Sequence, residues 1–401
     1  MSSGAQLSFA GDHDLQAASS VTGDGTVSFT GSSALGSNIV AGTYNVANTL
    51  ISGGRNEFNS NATTGAATLS GSTAVLRGSG TFTSTGAFSW TGATMGGTGT
   101  TRTEGGLAIS GSATKTLGRV LENVSAATWS DAGNVEMLDG GVFNNTSAGT
   151  FTAQNDASFV LAPGATAGSF VNAGTFTKSA GLGTTSFGAG VAFANSGTVQ
   201  AQSGTIAFNG GYTQSAGSLV LNGGSVSAST PLDIDGGSVV GSGTINASIT
   251  NGGDLSPGAP DAAGMLIVSG DLVFENAARF TIEIGGRVPT QFDRVTSGAT
   301  TLAGFLDVSF INGFEQGLLG VAPTDVFTIL DASSLTGAFA NAPNGGRVAT
   351  SDGFGSFAVS YTGSDVLLSD FQAVPEPGTY AMLGLGAAAL LVMRRRKASR
   401  G

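Results

Sequence analysis

Few residues in this chain could do chemistry. The 401 residues include one histidine and no cysteine, and 10% of them are charged, against about 25% in an ordinary soluble domain. A Ser-His-Asp arrangement would have to use His13, in "GDHDL" close to the first residue, a setting that reads as a surface loop. The lack of cysteine excludes disulfides and thiolate metal ligands. Cleaving a sugar chain takes carboxylates in pairs, one as acid and one as base or nucleophile. Residues 140 to 230 hold Asp156 as their one carboxylate and Lys178 as their one basic residue, so that stretch cannot supply a pair. Asp233 and Asp235, in "LDID", could offer hard oxygen ligands to calcium. The Gly-Gly-x-Gly-x-Asp repeat of calcium-binding solenoids does not occur, however, and two solvated turn carboxylates are the simpler reading. Gly96 to Thr101, "GGTGTT", lacks the Gly-Lys-Ser/Thr ending of a phosphate loop. With 2 Trp and 4 Tyr against 24 Phe, the aromatic residues read as core and not as sugar platforms. Catalytic residues, metal ligands and cofactor contacts are therefore all expected to be none.

Charge narrows the partners. The net charge is −11, and Arg394, Arg395, Arg396, Lys397 and Arg400 are five of the fifteen basic residues. Ten basic against 26 acidic residues leave residues 1 to 393 at −16. Such a body does not suit nucleic acid, whose phosphates need Lys and Arg.

The elements carrying these residues are legible from composition and rhythm. Disorder goes with low hydrophobicity, and the mean hydropathy here is +0.21. Gly, Ser, Thr, Val and Phe dominate, which are strand and turn residues, so the fold class is all-β. Four segments share a frame: "LENVSAATW", "FNNTSAGTF", "FVNAGTF" and "FANSGTV". An apolar residue stands two before an asparagine in Leu121/Asn123, Phe143/Asn145, Phe170/Asn172 and Phe193/Asn195. Each frame then reaches a threonine, at Thr128, Thr150, Thr175 and Thr198, spaced by 22, 25 and 23 residues. Ile249 and Asn251 form a later copy. Alternation in twos, bounded by Gly, Asn and Ser, indicates short strands, and a repeat of this length indicates a solenoid. A Gly-rich parallel β-solenoid (β-helix) follows, with glycine at corners of positive φ and asparagines stacking from coil to coil. About a dozen coils, each rising ~4.8 Å, make a rod of ~50–60 Å.

The stretches "FSWTGATMGGTGTT" (88 to 101) and "FANSGTVQAQSGTIAF" (193 to 208) resemble repeats of bacterial adhesin-like and autotransporter-like secreted proteins. That resemblance supports the fold more than any ligand. From "GDLSPGAP" onward the strands lengthen, as in "FTIEI" and "LDVSF", and suggest a β capping module that covers an open edge. The other reading is further coils. The expected division is 1–258 for the repeats, 259–370 for the capping module and 371–401 for a linker and tail.

The tail has three parts: Pro375-Glu376-Pro377, an apolar run from Tyr380 to Met393, and the block Arg394, Arg395, Arg396 and Lys397. The run is shorter than the ~20 residues of an ordinary membrane span, and a buried core helix is the alternative. Against it stand the Ala-, Leu- and Gly-rich character of the run, the proline break before it and the basic block after it, which stops transfer as cytoplasmic positive charge does. The combination closely resembles the PEP-CTERM sorting signal of Gram-negative bacteria, with Val374 before the motif and Gly378-Thr379-Tyr380 leading into a short hydrophobic helix. The resemblance implies an envelope-exported substrate of an exosortase, a membrane-embedded transpeptidase-like enzyme with a cysteine nucleophile. It also implies anchoring in the inner membrane through residues 379–393 before processing, then release to the cell surface or beyond, with exopolysaccharide or biofilm as the setting. "MSSGAQLSFAGDHDLQ" offers neither a basic nor an apolar leader region, which predicts a true start upstream. The expected function is an exported, non-catalytic surface or matrix protein, and the alternative is a β-helical polysaccharide lyase or hydrolase. An autotransporter passenger would end in a membrane barrel, and a helix with arginines does not fit that.

Overall fold

A computed structural model describes residues 1–31, 37–314 and 320–374. Among them there is no helix; every regular element is a strand, and the strands wind into a parallel β-solenoid of about 13 turns. One coil shows the plan. Gly168–Asn172, Thr175–Lys178 and Thr184–Phe187 are its three strands, and each belongs to a stack that runs the length of the rod. In the first stack Val142–Asn145, Gly168–Asn172 and Val191–Asn195 pair in parallel, with Phe143, Phe170 and Phe193 in register. The second stack joins Thr150–Ala153, Thr175–Lys178 and Thr198–Ala201. The third joins Ser158–Leu161, Thr184–Phe187 and Thr205–Phe208.

The strands are short because the apolar residues alternate in twos and each run meets a corner after a few residues. Phe143, Phe170 and Phe193 are buried, as are Phe151, Phe176, Phe159, Phe187 and Phe208 of the other two stacks. Within a stack the rings lie face to face: Phe143 on Phe170 with centroids 4.8 Å apart, Phe170 on Phe193 at 5.0 Å. Between stacks they meet edge to face, as Phe170 does with Phe176 at 5.5 Å and Phe187 at 5.3 Å. Both are favoured aromatic geometries, and each buried ring removes enough apolar surface to contribute about 1.5–3 kcal/mol.

The repeated asparagines form a buried ladder beside this core. Asn123 Nδ2 donates to Asn145 Oδ1, Asn145 Nδ2 to Asn172 Oδ1 and Asn172 Nδ2 to Asn195 Oδ1, each at 2.8 Å. Asn195 Nδ2 continues the ladder to Gln214 Oε1 at 3.1 Å. Every amide also serves the corner that follows it: Asn172 Nδ2 donates to Gly174 O and Thr198 O. The buried amides from Asn123 to Asn195 thus find partners, as a dry interior requires. Register differs from the sequence frame at one place. Thr128 pairs with Thr152, and Ala126 with Thr150, because the corner after Asn145 is longer than the one after Asn123.

Parallel stacking crosses residue 258 without a break. Asp254–Pro257 pairs with Ser238–Asn246, and Arg279–Ile284 pairs in turn with Asp254–Pro257 and Phe305–Phe310. The change of rhythm read there is an excursion from one corner, between the second and third stacks, and it recurs at 285–293 of the next coil. Antiparallel pairing begins beyond it. Asp365–Ala373 runs antiparallel to Phe327–Gly337 and to Gly355–Tyr361, which pairs with Arg347–Ala349. Phe310, Phe357 and Phe371 pack under these strands. These antiparallel strands lie at the end where the next coil would stack, the position of a cap.

Candidate functional site

The regular coils carry surface ion pairs such as Arg102 with Glu104 and Glu122, but three of their cations go to unexpected places. Lys178 occupies an inward position, in register with Ala153 below and Ala201 above. It is fully buried. The two alanines leave the room, and Lys178 Nζ donates to Asn155 O at 2.7 Å, Ala180 O at 3.1 Å, Thr185 Oγ1 at 3.0 Å and Asp156 Oδ1 at 2.8 Å. Asp156 also accepts from the Gly183 amide, and the Lys178 bond, foremost, holds its carboxyl below the usual range. The lone carboxylate and lone lysine of residues 140 to 230 are therefore spent on each other.

Two other cations sit inside. Lys115 is buried with its Nζ donating to Gly111 O, and burial lowers its pKa. Arg119 is buried in a corner, where its Nε and Nη2 each donate at 3.0 Å, to Gly99 O and Gly80 O. A Cβ on residue 99 would come within 2.6 Å of Arg119 Nη2, so the glycine makes the space for the guanidinium. Burial pushes Arg119 down to about 10. These are structural cations held by backbone oxygens, although Arg119 Nη1 is buried with no hydrogen-bond partner. Sequence reasoning missed them because a charged residue in a strand is ordinarily assigned to the wet face. The signal available was Lys178 standing in an alanine column of the repeat.

The sequence candidates lie apart. His13 is on the strand His13–Leu15, exposed, its ring 5.0 Å from Phe9; it is in a strand and not a loop. Asp233 and Asp235 both face solvent around the strand Leu232–Ile234. Among the described residues no three His, Cys, Asp or Glu gather as a metal site.

A second densely built polar corner is the excursion at 258–264. Asp293 is fully buried beneath it. Its Oδ1 accepts from the Gly264 amide at 2.7 Å and its Oδ2 from the Glu283 amide at 2.9 Å. Glu283 Oε1 accepts from the Asp261 amide at 3.2 Å, while Glu283 Oε2 is buried with no hydrogen-bond partner. Burial pushes the Asp293 carboxyl up to about 7, with the neighbouring Glu283 carboxylate adding to the rise. A cavity of about 290 Å3 lies beside the excursion, lined in part by Val220, Leu221, Ser242, Ala259 and Pro260. Its walls are mainly apolar, with Asn222 and Ser242 as their polar side chains, and no carboxylate lines it.

The described chain ends at Val374, which is exposed and donates its amide to Phe354 O at 2.9 Å. Pro375, Glu376 and Pro377, the helix expected over 379–393, and Arg394, Arg395, Arg396 and Lys397 lie outside the described residues. Among the described residues no helix is long and apolar enough to cross a membrane.

Comparison with known proteins bears on this end of the chain. Residues 373–397 match the family model of the PEP-CTERM protein-sorting motif. No curated protein and no solved structure matches the chain. The matched motif is the signal on substrates of exosortase processing, and it implies export to the envelope.

Proposed function

We propose that this chain, which ends in a PEP-CTERM motif, is a non-catalytic solenoid displayed on the cell surface or in the extracellular matrix of a Gram-negative bacterium. The observation that carries this reading is the motif match at 373–397, directly after a strand of the cap that ends at Ala373. The tail would hold the precursor in the inner membrane through residues 379–393, until an exosortase cuts near Pro375-Glu376-Pro377. The body would then pass to the outside, in company with exopolysaccharide. Two features support a passive body. The lysine and the carboxylate of its central coils are paired with each other, and the mainly apolar cavity at the 258–264 corner has no acid or base on its wall.

The tail is tested by processing. Expressed behind an export signal in an exosortase-bearing host, the chain is expected to lose its C-terminal residues. Glu376→Ala, or Pro375→Ala with Pro377→Ala, should leave an uncleaved membrane-bound form. Replacing Arg394 to Lys397 by serine should loosen anchoring, because each charge held at the bilayer centre costs about 2.5–3.5 kcal/mol and halts passage. Mass spectrometry of the mature protein decides it: an intact "RRRKASRG" end on surface protein would sink the sorting role.

Catalysis is tested separately. Purified body incubated with polysaccharide should release neither reducing ends nor unsaturated sugars. Steady release that disappears on changing one carboxylate would make the polysaccharide-active enzyme the correct reading.

A further inference from the structure

The excursion at 258–264 is built as a flap. Its ends meet at a neck of two glycines: a Cβ on Gly264 would lie 2.3 Å from the Gly258 backbone, and Gly258 has φ +87°. Between them Ala259 to Ala262 are exposed, and Asp261 has φ +61°. The flap's own hydrogen bonding is thin, with the Ala262 amide donating to Ala259 O. Its attachments come from outside: backbone bonds pin the two glycines of the neck, Gly258 N donating to Gly241 O and Arg294 N to Gly264 O, and two carboxylates of the next coil hold the rest, Asp293 taking the Gly264 amide and Glu283 the Asp261 amide at the tip. A segment with few buried apolar contacts and exposed backbone belongs to the low end of local stability.

We propose that residues 258–264 are a hinged flap latched by Asp293 and Glu283, which loosens as pH rises and opens the wall that Ala259 and Pro260 give to the mainly apolar cavity at Val220, Leu221 and Ser242. The direction follows from burial. Asp293 is fully buried, and removing its proton places a negative charge in a dry site facing a second carboxylate. The two amide bonds it accepts offset that only in part. Its carboxyl titrates at about 7, raised above the 3.8 of an exposed aspartate. A raised carboxyl stabilises the closed form fully below about pH 4, and that contribution is lost as pH rises through about 7. The other charged groups around it are Glu283 on the strand Arg279–Ile284, Asp261 on the flap, Arg294 next in sequence and Arg287 on the same excursion as Asp293. Arg294 donates to Met265 Sδ and lies over the Phe292 ring. Arg287 is engaged by Asp325.

Hydrogen exchange of the full chain, read by mass spectrometry on peptides covering 258–265 and corrected for intrinsic exchange, tests this. One unit of pKa shift corresponds to a tenfold change in equilibrium, so opening should be at least about tenfold greater at pH 8 than at pH 5. Peptides covering Gly168–Asn172 should show no such change. Asp293→Asn, which keeps the shape without the ionisation, should make flap opening independent of pH. Glu283→Gln should move the midpoint to lower pH. Opening that is flat with pH in the native chain, or a pH dependence that survives in Asp293→Asn, overturns the latch. Should Asp293→Asn not fold, an unmoved midpoint in Glu283→Gln overturns it instead.

Discussion

Replacing Phe170 with aspartate is expected to unfold the central coils. The ring is fully buried and touches Phe143, Phe151, Phe159, Phe176, Phe187 and Phe193, so it sits where three aromatic columns meet. Truncating a core phenylalanine costs about 3–5 kcal/mol. The aspartate adds a charge with no cation in reach: the nearest cation in sequence, Lys178, is already engaged by four acceptors. The total should exceed ~4 kcal/mol, a large share of a typical folding free energy. Denaturant unfolding followed by circular dichroism measures it. Phe170→Leu, which stays apolar, should cost far less. An aspartate variant within 1 kcal/mol of the parent would mean that the ring is not packed as described.

Gly217→Ala is expected to be nearly as damaging, although it adds one methyl group. Gly217 sits at the tight corner beside the asparagine ladder with φ +73°, and an added Cβ would lie 1.8 Å from Gly197 O and 2.6 Å from its carbonyl carbon. The left-handed conformation alone costs an alanine roughly 1–2 kcal/mol. The overlap is with backbone, so it is relieved only if the two coils move apart, and there the Ser218 amide donates to Gly197 O at 2.8 Å. A total of ~3 kcal/mol or more follows. Gly211 supplies the control. Its φ is +99°, yet nothing lies within 4 Å of its added Cβ, so Gly211→Ala should lose only the conformational part. Equal losses at the two sites would show that contact between coils is not what restricts residue 217.

Particular residues explain how far the sequence could be read. The Phe143, Phe170 and Phe193 column and the Asn145, Asn172 and Asn195 ladder were visible because a parallel solenoid stacks like upon like. A residue that repeats in sequence then meets its own copy in space. Thr128 was put out of step by an extra pair of residues in one corner, which a fixed frame cannot anticipate. The latch and the buried cations were not visible. Asp293, Glu283 and Asp261 occur once each, on segments joined only by folding, and no period marks them. Arg119 depends on glycines at 80 and 99, in earlier coils, whose missing side chains matter only once the corner has formed. The longer strands "FTIEI" and "LDVSF", read as the start of a capping module, continue the parallel coils, and the turn to antiparallel pairing beyond them leaves no mark in hydrophobic alternation.

The ladder has a consequence for how such a chain changes over generations. Each asparagine bonds the one in the next coil through the same two atoms, so the upper surface of a coil is a copy of the surface it covers. Duplicating or deleting one whole coil therefore joins like surfaces again, and nothing distant has to adjust, because each repeat touches only its neighbours. A gain or loss of one residue within a strand would turn the rest of that strand to the wrong face, and smaller changes are taken up only at corners, as after Asn145. Length in this molecule should drift in whole coils, while the capped end and the tail beyond it stay as they are.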